Sequence, residues 1–141
     1  MKVEEKMTKT LAFVDVSATA EEAAKKMQSE KVGTVLVSDN EMLGVLKGLV
    51  TDRQIVTKVV AAGKNPSEVK VADFMTKDPA TISPDADIHE AGKIMGEYGY
   101  RRLPVVQEGE PVGIISIADL AEHAKTCNLC TQNIMNELQR P

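Results

Sequence analysis

Cysteine is too scarce here to build a disulfide framework: the 141 residues include two, Cys127 and Cys130, so covalent cross-links do not carry the fold. Nor is there an apolar run of about 18 residues, the length at which a membrane-spanning helix is suspected. The opening MKVEEKMTKTL has acids in its first turn and no apolar stretch of signal-peptide length. Together these point to a soluble cytoplasmic protein with no membrane partner. Basic residues are not in excess. The net charge of −4 disfavours sequence-independent nucleic-acid binding, which works by neutralising phosphates, so any basic site must be local. Low-complexity tracts are missing too, and 27% charged with 43% hydrophobic residues is the balance of a compact soluble domain. Finally, no serine, cysteine or carboxylate is paired with a histidine at a spacing that makes a nucleophile and its base. The expectation is a protein that is not an enzyme.

What is present is a duplication. MTKTLAFVDVSATAEEAAKKM at Met7 to Met27 returns as MTKDPATISPDADIHEAGKIM at Met75 to Met95, an offset of 68 residues. Two such units, each with an apolar face it cannot cover alone, are expected to pack about a pseudo-twofold axis and leave related clefts along their seam. One copy alone, at roughly 60 residues, would be marginal, so the halves are expected to fold together.

Within the first copy, Thr19 and Glu22 are spaced as a capping box, and Ala20, Ala23, Ala24 and Met27 then share one helical face. The matching face in the second copy is Ile88, Ala91, Gly92 and Met95, with Ser83-Pro84-Asp85 as the start signal and Asp87 and Glu90 in the capping positions. A β-rich run follows each helix, Thr34 to Val37 and Leu103 to Val106, then a turn and a second run, Gly48 to Thr51 and Gly113 to Ser116. The offset falls to 65 across that turn because the first hairpin is three residues longer. A closing helix completes each half, Arg53 to Ala62 ended by Gly63, and Ala118 onward. The reading is an α/β fold of two βαββα repeats: residues 1–63 and 75–126, joined by 64–74, with a helical tail over 127–141. Apart from the shared Met-Thr-Lys, the segments leading into the two copies match poorly and are expected to differ in detail.

Three groups of residues bear on chemistry. Ser116 and Asp119 place a hydroxyl and a carboxylate where a strand turns into a helix. A carboxylate there can accept two hydrogen bonds from a vicinal diol such as a ribose, beside peptide N–H groups that attract anions; simple helix capping is the alternative. Arg101 and Arg102 stand at the mouth of the preceding strand, where guanidinium forks suit phosphate oxygens or are merely solvated, and Pro104 belongs at a strand start. In the tail, His123, Cys127 and Cys130 offer three metal ligands where zinc takes four. The same cysteines also continue an apolar stripe through Leu120, Ala124, Ile134 and Leu138. His89, on a first helical turn beside acids, reads as a surface residue.

The repeated pattern, above all RRLPVV followed by GIISIADL, resembles the paired cystathionine-β-synthase (CBS) domain, or Bateman module, from about Thr8 to about Ala124. The resemblance implies two sheets packed back to back and clefts that take adenosine-containing ligands: AMP, ADP or ATP, and S-adenosylmethionine in some members. It implies a sensor that signals to an effector protein, with no catalytic cofactor, and pairing into homodimeric discs; the extended C-terminal helix, apolar along one side, is expected to lie against a second copy of the chain or equally to dock onto a separate effector. Carried over by position, the ribose acid falls on Asp119, its hydroxyl neighbour on Ser116, and the phosphate contacts on Arg101 or Arg102. The base is flanked by Thr81 and Ile82 and by Arg102, Leu103 and Pro104. In the first copy the matching residues are Thr34, Thr51, Arg53 and Gln54. There an amide replaces the acid, and Asp52 comes two residues early. The two sites are therefore expected to be unequal, with the Asp119 site the stronger.

Overall fold

The structure is a computed structural model, and it describes residues 1–39 and 45–124. Packing divides the chain into two compact units: Leu11–Pro79, and Met1–Thr10 together with the described residues from Ala80 onward. The units therefore differ from the sequence repeats, because the segment leading into each copy packs with the other one.

In the unit Leu11–Pro79, strands β1 (Phe13–Asp15), β2 (Thr34–Ser38), β3 (Leu46–Thr51) and β4 (Thr76–Lys77) form a sheet in that order. β1 runs parallel to β2, the crossover being helix α1 (Ala20–Glu30), and the other pairs are antiparallel. Helix α1 starts where the sequence predicts. The Glu22 N–H donates to Thr19 Oγ1 at 3.1 Å, and the Thr19 N–H returns a bond to Glu22 Oε2 at 3.4 Å. Such a cap contributes about 1 kcal/mol. The inward face is the predicted one, with Ala20, Ala23 and Met27 buried and Ala24 half-buried. It packs with Val14, Val35, Val37, Val50, Ile55, Val59 and Phe74. After β3 the chain enters helix α2 (Asp52–Ile55), which widens into a π turn over Val56–Val60.

In the other unit, helix α3 (Ile88–Tyr98) precedes the hairpin of β5 (Arg102–Gln107) and β6 (Glu110–Ser116), and helix α4 (Ile117–Ala124) follows. The hairpin turns on Glu108 and Gly109, whose φ values of 51° and 82° match the right-handed strand twist. Ile88, Ala91, Gly92 and Met95 are all buried on one face of α3, as the sequence indicates. Two features differ from expectation. The first strand of this copy shrinks to one parallel bridge, Ile82 to Val105, since Pro84 has no N–H to extend the ladder. Glu90 also makes no capping box. The Asp87 carboxylate turns to His89 instead, accepting from its backbone N–H at 2.8 Å and meeting its ring. Those contacts, the backbone one foremost, hold the Asp87 carboxyl below the usual carboxylate range.

The lead-in segments share a backbone plan whose bonds repeat at the offset of the duplication, and they differ in detail: one ends in the two-residue strand β4, the other in a single bridge. Each forms a short 3₁₀ turn, Val3–Glu5 and Val71–Asp73, around a fully buried valine. The Val3 N–H donates to Ala86 O at 2.9 Å, as the Val71 N–H does to Ala18 O. Met1 O accepts from the first N–H of α3, and Val69 O from the first N–H of α1, at 2.9 and 2.8 Å. Each lead-in thus satisfies helix-start donors that have no partner within the helix. It then pairs with the last strand of the unit: Thr8 with Ile114, and Thr76 with Leu49.

Candidate functional site

β6 carries the hydroxyl–acid pair and delivers it into α4. The Ser116 N–H and Oγ both donate to Asp119 Oδ2, at 2.8 and 3.0 Å, and the Asp119 N–H meets Ser116 Oγ at 3.3 Å. This is a reciprocal cap, so the structural role is real. It engages one carboxylate oxygen only; among the described residues Oδ1 accepts no hydrogen bond. A half-buried acid with one oxygen anchored and the other uncommitted is oriented to receive a further donor.

The arginines are next to it. Arg102 lies opposite Ser116 in the strand register, and Arg101 O accepts from the Ile117 N–H at 2.9 Å, tying the start of β5 to the start of α4. Along β5, Leu103 and Val105 are buried in the unit's core; by alternation Arg102 and Pro104 occupy the opposite face. Arg102, Ser116 and Asp119 therefore form one polar cluster at the end of the hairpin, with exposed Arg101 at its edge. Thr81, also exposed, precedes Ile82, whose N–H bonds Pro104 O at 3.1 Å and whose O accepts from the Val106 N–H at 2.9 Å. Ile82 and Leu103 are core residues with committed side chains, so they shape this cluster from beneath.

The corresponding cluster in the unit Leu11–Pro79 is built alike and bonded differently. Thr34 faces Thr51 in the register, as Arg102 faces Ser116. The Thr51 N–H donates to Gln54 Oε1 at 2.9 Å, the Gln54 N–H reaches Thr51 Oγ1 at 3.2 Å, and Gln54 Nε2 donates to Thr76 Oγ1 at 2.8 Å. Both ends of the Gln54 amide are held. Asp52 bonds the N–H of Arg53 at 2.8 Å, within its own turn, and Arg53 is exposed. Thr34 is 4% exposed, and its hydroxyl has no hydrogen-bond partner among the described residues. Thr76, which fixes Gln54, escaped the sequence reading; the repeated Met-Thr-Lys was the signal that could have pointed to it.

Cys127 and Cys130, and the apolar stripe beyond Ala124, lie outside the described residues. Among the described residues no cluster of three or more metal-ligating groups occurs, and no helix is long and apolar enough to cross a membrane. His123 is on α4, with its ring edge-on to His89 at a centroid distance of 6.2 Å. His89 is half-exposed and also meets the Asp87 carboxylate. A separate groove of about 620 Å³, between β1 and α1, is lined by Leu11, Phe13, Val14 and Lys26 among others and by none of the residues above.

Twice-built β-hairpins that each feed a capped helix, with lead-ins exchanged between the copies, define a tandem α/β repeat module. The chain belongs to the CBS domain family, whose model matches residues 3–61 and 71–125. It is 34% identical over 119 residues to the CBS domain-containing protein YhcV of Bacillus subtilis, covering 84% of this chain and 82% of that one. An uncharacterized protein of Methanopyrus kandleri is 37% identical over 105 residues, 74% of this chain, and the chain spans 53% of that relative's length. Among solved structures, a CBS domain protein from Pyrobaculum aerophilum complexed with AMP superimposes with a TM-score of 0.79 at 26% identity, covering 93% of this chain and 99% of that one.

Proposed function

We propose that the chain is a regulatory module that binds an adenine nucleotide at the Asp119 cluster and transmits ligand state to an effector protein. The observation that carries this is the half-engaged carboxylate: Ser116 fixes Oδ2, which leaves Oδ1 for a ribose hydroxyl, while Arg102 across the register and Arg101 beside it supply cations for phosphate. The AMP bound by the Pyrobaculum relative supports the ligand class. In the first copy the tethered, neutral Gln54 makes a poorer ribose acceptor, so the reading assigns one principal site per chain. No chemical step belongs to it; nucleotide acts through its differential affinity for two states of the module.

Calorimetric titration with AMP, ADP and ATP tests the assignment. Asp119→Ala is expected to weaken binding by about 1.5–3 kcal/mol, the worth of hydrogen bonds to a charged group. Asp119→Asn, which can still accept from Ser116, separates the loss of charge from the loss of the cap. Gln54→Ala is expected to leave the affinity nearly unchanged. A large loss with Gln54→Ala beside an unaffected Asp119→Ala would reverse the assignment.

The same reading includes a cytoplasmic homodimer in which the apolar stripe that starts at Leu120 and Ala124 takes part. Light scattering should show a dimer for the full chain and a weaker one for a chain ending at Thr126. An equally stable dimer after truncation would remove the tail from the interface.

A further inference from the structure

β1 is the edge strand of its sheet, with β2 on one side of it. Alternate residues make the bonds to β2: the Leu36 N–H donates to Ala12 O at 2.8 Å, and the Val16 N–H donates to Ser38 O at 3.0 Å. In a parallel ladder of that register the residues between them, Phe13 and Asp15, turn their peptide groups away from the sheet. Asp15 O is taken by the Ala18 N–H at 2.9 Å. The Phe13 N–H and C=O and the Asp15 N–H have no partner among the described residues. Native edges are blunted by lysine, proline or a bulge, and Phe13–Asp15 has none of these, only its shortness.

Along this edge runs the groove of about 620 Å³ between β1 and α1, and its lining belongs wholly to the unit Leu11–Pro79. Leu11, Phe13, Val14 and Ala18 form an apolar wall, with Leu11 and Phe13 half-exposed. From α1 comes Lys26, half-buried. Glu22 and Glu30 stand one turn before and after it, at the spacing of helical ion pairs. Lys26 nevertheless pairs with no carboxylate among the described residues, whereas its neighbour Lys25 holds Glu21 at 3.0 Å. The Glu22 carboxylate is engaged at the cap, where it accepts from the Thr19 N–H. We propose that this edge and groove take an extended peptide segment of a partner protein. The segment adds to the sheet beside β1, drops an apolar side chain between β1 and α1, and sets a carboxylate on Lys26. Strand addition draws affinity from main-chain bonds and specificity from side-chain pockets, and this site offers both. A small apolar molecule could fill the groove, but it would leave the peptide groups of Phe13 unpaired.

The groove shares no residue with the Asp119 cluster or with its first-copy counterpart, so peptide and nucleotide binding are separable. The probe is a phage-displayed library of random linear peptides selected against the full chain. Enriched peptides should alternate apolar and polar residues and carry an aspartate or glutamate. A synthetic copy of the leading peptide, titrated into isotope-labelled protein, should move the amide resonances of Phe13 and Asp15. Lys26→Glu should weaken its binding about tenfold, the lower end for a hydrogen bond to a charged group. Methylating the peptide's backbone nitrogens one at a time should abolish binding at alternate positions and spare the positions between, since only every second N–H of an added strand faces β1. That pattern is read on the unaltered protein, so it holds whether or not a variant folds. Failure of any peptide to enrich, binding that Lys26→Glu leaves unchanged, or methylation effects without alternation would overturn the proposal. A failed nucleotide titration bears on none of these results.

Discussion

Replacing Ile115 by alanine should cost about 2–5 kcal/mol of unfolding free energy, the range for emptying a fully buried aliphatic site. Ile115 is 0% exposed and pairs with Leu103 across the hairpin. It packs in a core with Val3, Ile88, Ala91, Met95, Val105 and Leu120. Its neighbours come from the lead-in, two helices and both strands of the hairpin, so no single element can shift to fill the hole without breaking contacts elsewhere. The upper half of the range is therefore expected, with a melting temperature lower by about 2–4 °C per kcal/mol. Ile115→Val should cost only about 0.5–1.5 kcal/mol. Urea denaturation of the three proteins checks this, and a loss below about 1 kcal/mol for alanine would mean that the hairpin relaxes freely. The strand residue after Ile115 is Ser116, so the same variant should also loosen the cap that holds Asp119.

The second large effect is expected at a glycine. A Cβ at Gly48 would lie 2.6 Å from the backbone oxygen of Thr76 and 2.7 Å from Met75 Sδ. Alanine is ordinarily a better strand residue than glycine, yet Gly48→Ala should destabilise by about 1–3 kcal/mol, because a paired backbone cannot retreat as a side chain can. A Cβ at the equivalent Gly113 would meet Met7 Sδ at 2.6 Å and Thr8 O at 2.9 Å. Here the nearest atom is flexible, so Met7→Ala should recover part of the Gly113→Ala loss. Met75→Ala should recover little of the Gly48→Ala loss, since Thr76 O remains. Gly96, within α3, is the control: a Cβ there would have nothing within 4 Å, and alanine should stabilise by roughly 0.5–1 kcal/mol. Thermal denaturation of this set tests whether the lead-ins clamp the last strands, and equal behaviour of Gly48→Ala and Gly96→Ala would refute it.

Much of this was legible because the signals are local. The Thr19–Glu22 box and the stripes of α1 and α3 depend on residues three and four positions apart, and the folded chain keeps them. The Ser116–Asp119 spacing likewise announced a cap, and the cap is there. Local reading failed where two options competed for one group. Asp87 had Glu90 in position for a box, but its carboxylate went to His89. The βαββα pattern requires a first strand ahead of α3, but Pro84 stops the ladder at Ile82 after one bridge.

By itself, then, the sequence determined the repeat, the helix faces, the strand runs and the difference between Asp119 and Gln54, since each is a matter of residue type at short spacing. Tertiary structure alone decided which copy each lead-in joins. Those segments lack a periodic pattern, and their place is set by backbone bonds to Ala86, Ala18 and the first residues of α3 and α1, 49 to 87 residues away in the chain. It likewise decided that Thr76 fixes Gln54 and that His89 meets His123. Such pairings depend on where separate elements come to rest, and no short-range spacing records that.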